Sequence, residues 1–341
     1  MSQPAQTLME REAREAPAAV ARVVRESDGA LAALGAHLRA LAPGYAVAAG
    51  RGSSDHAGLL AKYLFELRLG VPTVSAAPSI RSIYGGRLEL AKALVLAISQ
   101  SGRSPDLIEF CRAATGPDVL RVGLLNDVAA PLAQAVDVCL GLEAGPEQSV
   151  AATKSCLAAM ALTFGLAAYW RNDTAMIAAF ARAPQALAAA LEMDWSAADA
   201  FLDGEGPVYV VGRGPGLAIA EEAALKLKET CGLHAEAVSG AEIRHGPLAL
   251  AGPTLRVLVF AQRDAAFAGL KQLSDDLAAR GTRVMFVSAD AAAIQVAPDD
   301  ESVIELLAML QRFYLFANAA ALRRGRSPDA PPALSKITET H

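Results

Sequence analysis

Three charged residues in the second half of the chain have the spacing needed to move a proton. Glu222, Lys226 and Glu229 occupy positions i, i+4 and i+7, which places them on one face of a helix. A carboxylate that is partly desolvated beside a lysine can serve as a general acid or base. The triplet is also typical of a solvent-exposed ladder of ion pairs. The ladder is the more common role of such a triplet, but the glycine-rich turn that directly precedes this helix, Gly212 to Gly216, strengthens the case for chemistry.

A loop in the first half has the composition of an anion-binding site. Ser99-Gln100-Ser101-Gly102-Arg103-Ser104 follows a strand-like apolar run, and Ser104 with Pro105 forms a typical helix start. Hydroxyls and backbone N–H groups at this point can hold a phosphate. The loop lacks the Gly-Lys-Ser/Thr ending of a nucleotide P-loop, so a sugar phosphate fits it better than ATP. The alternative is a polar loop that only caps its helix.

The turn Gly50-Arg51-Gly52-Ser53-Ser54 begins like a dinucleotide-binding motif but does not complete it. Its sixth position is Asp55, and the similar turn that begins at Gly212 also lacks the third glycine. Two failed matches argue against NAD, and the sequence predicts no cofactor. Ser53 and Ser54 are instead expected to add hydroxyls to the same predicted binding opening as Ser99 and Ser101. A tight turn that needs small residues is the alternative.

Two further residues carry reactive groups but have weak sequence context. His245-Gly246-Pro247 forms a rigid loop, although a lone histidine is more often structural than catalytic. Lys336 lies in a polar tail that begins near Pro331-Pro332, and by itself it is typical of a solvated residue at a frayed terminus. The histidines and cysteines lack the spacing of metal ligands, so no metal site is predicted.

The elements that must position these residues form a duplicated α/β pattern. Short apolar runs alternate with Ala/Leu-rich helical stretches, as expected for parallel strands joined by crossover helices. Three features recur at one offset of 162 residues: Gly50-Arg51-Gly52 at position 212, Gln100 at 262 and Arg121-Val122 at 283. The common offset predicts two copies of one doubly wound fold. The strand-free stretch from Ala151 to Trp195 should connect them.

The six predicted strands fall into two matching sets, and each set should lie in one of the two parallel sheets. They are Tyr45 to Ala49, Leu94 to Ile98, Leu120 to Leu125, Val208 to Val211, Leu255 to Phe260 and Arg283 to Val287.

Composition excludes several classes of protein. The chain has 341 residues, 53% of them hydrophobic, with a net charge of −5, so it can bury a large core and nucleic acid is not an expected partner. The longest charge-free run, Ser155 to Trp170, is shorter than the ~20 apolar residues of a membrane helix, and no export signal precedes it. The four cysteines are widely separated, which is typical of reduced thiols in a cytoplasmic protein.

Read together, these segments resemble the sugar isomerase (SIS) domain family over nearly the whole chain. Within it they are similar to the isomerase half of glucosamine-6-phosphate synthase and to stand-alone relatives that include glucosamine-6-phosphate deaminases. The matching segments are Glu10 to Pro17, Gly52-Ser53-Ser54, Ser99-Gln100-Ser101-Gly102, Val150-Ala151-Ala152-Thr153-Lys154, Leu225-Lys226-Leu227-Lys228-Glu229, His234-Ala235-Glu236 and His245-Gly246-Pro247-Leu248-Ala249-Leu250.

The resemblance implies a role for each candidate residue. Glu229 would move the proton between sugar carbons C1 and C2, with Glu222 and Lys226 beside it. His245 would assist ring opening, donated across a homodimer interface. Lys336 matches the lysine that forms a Schiff base in the synthase, and the alternative is that it only orients the 2-amine of the sugar. The implied substrate-binding positions are Gly52, Ser53, Ser54, Ser99, Gln100, Ser101, Ser104 and Val150.

The expected architecture is α/β, with two tandem doubly wound parallel-sheet SIS domains and a C-terminal tail. The expected limits are a helical segment at 1–30, a phosphate-binding domain at 31–175, a domain carrying the glutamate and histidine at 195–328, and an active-site tail at 329–341. Residue 2 is Ser, where the synthase has its glutaminase cysteine, so no release of ammonia from glutamine is expected. Pro332-Ala333 also departs from the Arg-Asn that commonly stands there in the synthase.

The expected activity is deamination of glucosamine 6-phosphate to fructose 6-phosphate and ammonia. One alternative is an isomerase or a fructosamine-phosphate deglycase that acts on another 6-phosphosugar. A second alternative is a non-catalytic sugar-phosphate sensor, although no basic patch precedes Tyr45. The expected ligand is a small sugar phosphate, with no nucleic-acid or membrane partner.

Overall fold

The computed structural model describes residues 6–290 and 294–336, which divide into two compact units. The first unit comprises residues 18–146 and 155–182. The second unit comprises 6–17, 147–154, 183–290 and 294–336 among the described residues. Both units are therefore discontinuous along the chain, and the domain limits expected from the sequence stay predictions.

The first unit contains a five-stranded parallel sheet. Its strands are β1 (Tyr45–Ala49), β2 (Thr73–Ser75), β3 (Ala93–Ser99), β4 (Val119–Leu125) and β5 (Val138–Gly141), in the order β2-β1-β3-β4-β5. Every residue of β3 is buried, which explains its unbroken apolar sequence, since a central parallel strand is covered on both faces.

The helices of the first half are α1 (Leu8–Leu41), which begins in the second unit, α2 (Ser53–Leu64), the single turn α3 (Ser79–Ser82), α4 (Pro105–Ala113) and α5 (Lys154–Arg171). Of these, α2 and α4 pack against strands of the sheet. The apolar face of α4 places Leu107 and Phe110 against the sheet core. Gly35 of α1 allows a close helix contact, because a Cβ there would lie 2.4 Å from the carbonyl oxygen of Tyr169.

The second unit repeats the same topology. Its strands are β6 (Val208–Gly212), β7 (Ala235–Ser239), β8 (Arg256–Phe260), β9 (Arg283–Ser288) and β10 (Ile294–Gln295), all parallel in the order β10-β9-β8-β6-β7. The order matches the first sheet strand for strand. The predicted fold class, two tandem doubly wound parallel-sheet domains, is confirmed.

The helices of the second half are α6 (Thr174–Leu191), which begins in the first unit, α7 (Gly216–Cys231), α8 (Phe267–Ala278) and α9 (Ser302–Arg323). By length and composition alone, α6 and α9 could each span a membrane. In α9, 89% of the apolar part of the helix is buried inside the protein. Phe313 of this helix packs edge-on against Phe260, with 5.8 Å between the ring centroids. The helix therefore serves as a core element of its unit.

The connecting stretch and the cysteines agree with the sequence analysis. The described residues between Ala151 and Trp195 contain α5 and α6 and no strand. All four cysteines are free thiols, and only Cys139 is partly exposed. Burial raises the pKa of the Cys111 thiol to about 12, so this group stays protonated at neutral pH.

Candidate functional site

The two predicted anion loops follow neighbouring strands of the first sheet. The loop 50–52 follows β1 and the loop 100–104 follows β3, and these strands pair directly in parallel. The strand order reverses at this pair, because the chain connects β1 to β2 on one side and then to β3 on the other. In open α/β sheets, ligands bind at the carboxyl ends of the strands at such a switch point.

Backbone geometry shapes the loop between β3 and α4. The N–H of Gly102 donates to the Ser99 hydroxyl at 3.0 Å, and the N–H of Arg103 donates to the Ser101 hydroxyl at 3.3 Å. Gly102 has a φ of 63°, and a Cβ there would lie 2.6 Å from that of Ala130. Ser104 occupies the predicted N-cap position before Pro105, but its side chain makes no cap hydrogen bond.

An ion pair that the sequence analysis missed links the two loops of the first unit. Arg51 donates from Nε and Nη2 to the Asp106 carboxylate at 2.9 and 2.5 Å, and Asp106 is almost fully buried in the first turn of α4. Nearby, burial raises the pKa of Asp55, against the opposing influence of His56 and Arg51. The buried carboxylate of Asp106 holds Arg51 beside the turn that leads into α2.

In the equivalent loop of the second unit, the polar side chains bond to other groups of the same unit. Gln262 is fully buried and donates to the Arg213 carbonyl and to the Asp264 carboxylate, each at 2.9 Å. Arg263 is paired with the buried carboxylate of Glu305. These polar groups therefore bond within their own unit, and anion binding by the hydroxyl-rich loop of the first copy stays a prediction.

The charged face of α7 is buried, which corrects one alternative from the sequence. Lys226 Nζ lies 2.5 Å from Glu229 Oε2 and 3.6 Å from Glu222 Oε1. The side chains of Glu222 and Lys226 are 0% and 1% exposed, so the triplet is no exposed ladder. Glu229 is 18% exposed and is the carboxylate of the triplet that solvent reaches. Two acids share one buried ammonium group, an arrangement suited to proton transfer.

Tyr314 is a second residue that the sequence analysis missed. It lies on α9, and its hydroxyl donates to Glu222 Oε1 at 3.0 Å. The tyrosine is fully buried, so this bond orients the innermost carboxylate of the α7 triplet. No sequence signal could have found the pair, because the two residues are 92 positions apart and Tyr314 lies within an apolar helix.

His245 lies on the surface, at the end of a short helical turn that follows β7. Within the described residues, no hydrogen bond or ion pair joins its side chain to Glu229. The predicted donation of His245 across a dimer interface stays a prediction. Among the same residues, no cluster of three or more His, Cys, Asp or Glu side chains could hold a metal ion.

The described part of the tail is tied to the segment 147–153 of the second unit. Lys336 Nζ lies 3.1 Å from Glu147 Oε2, and the Glu147 side chain has no exposed surface. The Val150 N–H donates to the Asp329 carbonyl at 3.3 Å. Up to Lys336 the tail is therefore held in place and is not a frayed end. The rest of the predicted tail, 337–341, lies outside the described residues.

Comparison with known proteins identifies the family. The SIS domain model matches residues 45–168 and 202–307, and the chain belongs to this family. An isomerizing glutamine–fructose-6-phosphate aminotransferase of Aeropyrum pernix is 31% identical over 318 residues, which cover 84% of this chain and 50% of that protein. The chain thus spans about half the length of the curated relatives it matches.

Solved structures support the same assignment. A Silicibacter pomeroyi protein, provisionally assigned as a phosphosugar isomerase, is 38% identical with a TM-score of 0.88, and the match covers 95% of this chain and all of that one. A glucosamine-6-phosphate deaminase of Thermotoga maritima has a TM-score of 0.72 at 19% identity, covering 94% of this chain and all of that one. At this identity the deaminase shares the fold alone.

Proposed function

We propose that this protein is a phosphosugar enzyme of the aldose/ketose type, and that it converts glucosamine 6-phosphate to fructose 6-phosphate and ammonia. The names of its relatives support a phosphosugar substrate, since they include an aminotransferase of fructose 6-phosphate and a protein assigned as a phosphosugar isomerase. The serine-rich loop at the switch point of the first sheet supports a phosphate ligand.

In the proposed reaction, His245 helps to open the sugar ring. Glu229 takes the proton from C2 of the open aldose while the C1 oxygen gains a proton, which gives an enaminol. Glu229 then returns its proton to C1, the nitrogen lone pair forms the double bond of the C2 imine, and C1 keeps its hydroxyl. Water then adds to the imine carbon, and ammonia leaves to give the C2 ketone. The proposed substrate-binding positions are Gly52, Ser53, Ser54, Ser99, Gln100, Ser101, Ser104 and Val150.

The observation that carries this proposal is the buried triplet on α7. Lys226 is enclosed between two carboxylates, and only Glu229 of the pair retains exposed surface. A ligand can therefore reach Glu229, while Glu222 stays inside with its bond from Tyr314. A carboxylate held at the edge of a buried charge network is typical of a general base.

The test is to incubate the purified protein with glucosamine 6-phosphate and to measure fructose 6-phosphate and ammonia together. E229Q should lower kcat about 10²- to 10⁴-fold, the contribution of one positioned acid–base group. E221Q is the matched control, because Glu221 is the neighbouring residue on the same helix, outside the triplet. Absence of both products with the unaltered protein would refute the deaminase proposal.

A second candidate function is aldose–ketose isomerisation of another 6-phosphosugar without loss of ammonia. The assignment of the Silicibacter pomeroyi relative favours it. The same assay separates the two, because a deaminase releases one ammonia for each ketose formed and an isomerase releases none. A sugar-phosphate sensor would bind its ligand equally well with E229Q and would show no turnover in either form.

We also propose that the protein is a homodimer. Apolar side chains are exposed around α3, where Ile83 and Tyr84 are 60% and 75% exposed and Ile80 and Leu88 lie nearby in the sequence. Grouped apolar side chains at a surface are typical of a protein interface. The exposed position of His245 supports its proposed contribution to the partner's site.

A further inference from the structure

The contact between Lys336 and Glu147 joins an amine to a buried carboxylate. Lys336 Nζ lies 3.1 Å from Glu147 Oε2, while Glu147 Oε1 accepts the N–H of Thr153 at 3.0 Å. The lysine side chain is 23% exposed and the glutamate side chain is fully buried. The amine can therefore meet a small ligand from solvent, and the carboxylate lies behind it.

The segment that carries Glu147 is held rigidly from both sides. The Glu12 carboxylate of α1 accepts the N–H groups of Gln148 at 2.6 Å and Ser149 at 3.1 Å. The Asp329 carboxylate accepts the N–H groups of Leu8 and Met9, and the Asp329 carbonyl accepts that of Val150. These bonds tie the backbone that directly follows Glu147 to α1 and to Asp329 of the tail.

Other charged groups near this segment are engaged in pairs of their own. Lys154 Nζ lies 2.6 Å from Glu15, which also lies 3.8 Å from Arg11. The carboxylates of Glu12 and Asp329 accept backbone N–H groups. Within the described residues, Glu147 is the carboxylate that contacts the Lys336 amine.

From this geometry we infer that Glu147 accepts and returns the proton that Lys336 must exchange to form an imine with a ketose phosphate. The inference rests on the proposed function and deepens it. An ammonium group is not a nucleophile, so Lys336 first passes a proton to the Glu147 carboxylate. The neutral amine then attacks the ketone carbon, giving a carbinolamine in which nitrogen is bound to that carbon.

The second half of the step uses the same proton. Protonated Glu147 donates it to the carbinolamine hydroxyl, the C–O bond breaks, and water leaves. The nitrogen lone pair forms the double bond of a protonated imine, and Glu147 is again a carboxylate. In sum, an ammonium and a ketone give an iminium and water, so atoms and charge balance without a further reactant.

The test uses the full-length protein with fructose 6-phosphate and cyanoborohydride, which reduces the imine to a stable amine. Mass spectrometry of the peptides measures the rate at which the adduct forms on Lys336. E147Q should lower this rate about 10²-fold at saturating fructose 6-phosphate, the lower end of a general acid–base contribution. The half-saturating concentration should not change, whereas a purely structural role would raise it.

Two further variants are matched to this test. E15Q removes the carboxylate paired with Lys154 and should leave the adduct rate unchanged. E147D keeps a carboxylate that is one methylene shorter and should lose less of the rate than E147Q. It also provides the comparison if E147Q does not fold, which circular dichroism will show.

The outcomes separate this inference from the proposed function. An E147Q or E147D variant that forms the adduct at the wild-type rate would overturn the role of Glu147. Turnover of glucosamine 6-phosphate without any adduct on Lys336 would overturn the inference and leave the deaminase proposal standing. Adduct formation without release of ammonia would overturn the deaminase proposal alone.

Discussion

The hydroxyl of Tyr314 meets the innermost carboxylate of the α7 triplet, and this contact gives a prediction at the scale of single residues. Glu222 shares Lys226 with Glu229, so the position of Glu222 influences the distance between Lys226 and the proposed base. Removal of one donor from a buried carboxylate costs about 1–3 kcal/mol, because the charged acceptor keeps its desolvation penalty.

We therefore expect Y314F to lower the free energy of unfolding by about 1–3 kcal/mol in urea titrations. It should also lower kcat with little change in KM, since the residue touches the triplet and not the ligand. Y209F is the control, because Tyr209 is a buried tyrosine of β6 outside the triplet. Equal values of kcat for Y314F and the wild type would show that Tyr314 does not position the triplet.

At the scale of elements, α1 contains a proline that Gln311 compensates. Pro17 lies inside the helix and has no N–H to donate to the carbonyl of Ala13, four residues earlier. The side chain of Gln311 on α9 supplies that bond, with Nε2 donating to the Ala13 carbonyl at 2.9 Å. Gln311 is fully buried, so this bond explains a polar side chain in an apolar helix.

This arrangement predicts a coupling between two substitutions. Q311L alone should cost about 1–3 kcal/mol, because the Ala13 carbonyl is left without this donor. P17A restores a backbone N–H at position 17, so Q311L should cost less in the P17A background. Thermal and urea unfolding of the two single variants and the double variant measure the coupling. Strictly additive free energies would contradict the explanation.

The elements that the sequence predicted and those it missed differ in their place in the sheets. The six predicted strands are central or next to an edge, and their sequences are mostly apolar because both faces are covered. The four missed strands, β2, β5, β7 and β10, are the edges of the two sheets. The edge strands are short and partly exposed, so their sequences are too short or too polar to show the apolar run on which the prediction depended.

The candidate site shows the same division between local and long-range information. The shared face of Glu222, Lys226 and Glu229 follows from helical spacing and was predictable. Their burial was not, because it depends on the packing of α9 against α7. The pair formed by Glu147 and Lys336 joins residues 189 positions apart, so no local pattern could indicate it.

At the scale of the whole molecule, the two copies share a strand order and differ in the loops at their switch points. The first copy carries Ser99, Ser101 and Ser104 there, whereas in the second copy Gln262 and Arg263 bond to groups of their own unit. We therefore propose that the equivalent loops have different roles, phosphate binding in the first copy and stabilisation of the fold in the second. We expect S101A to raise KM for a phosphorylated sugar, which steady-state kinetics measures. We expect Q262A instead to lower the stability of the fold, which thermal unfolding measures.

The proposed homodimer predicts that charge introduced at its surface will dissociate it. Y84D should halve the mass measured by light scattering, because an aspartate in an apolar interface has no partner for its charge. L322D is the control, since Leu322 is an exposed leucine of α9, in the other unit. A Y84D protein that keeps the dimer mass would place the interface elsewhere, and an unaltered protein with the mass of a single chain would refute the dimer.

The shared site can be tested by mixing two inactive chains. If Glu229 of one subunit works with His245 of its partner, a dimer of one E229Q chain and one H245A chain has one intact site and one site with both substitutions. Random pairing makes half of the dimers mixed, so co-expression should restore about a quarter of the wild-type kcat per site in a two-fold symmetric dimer. Each variant expressed alone should show no activity in an assay that detects a quarter of the wild-type kcat. If His245 acts within its own chain, every site carries one substitution and co-expression restores nothing.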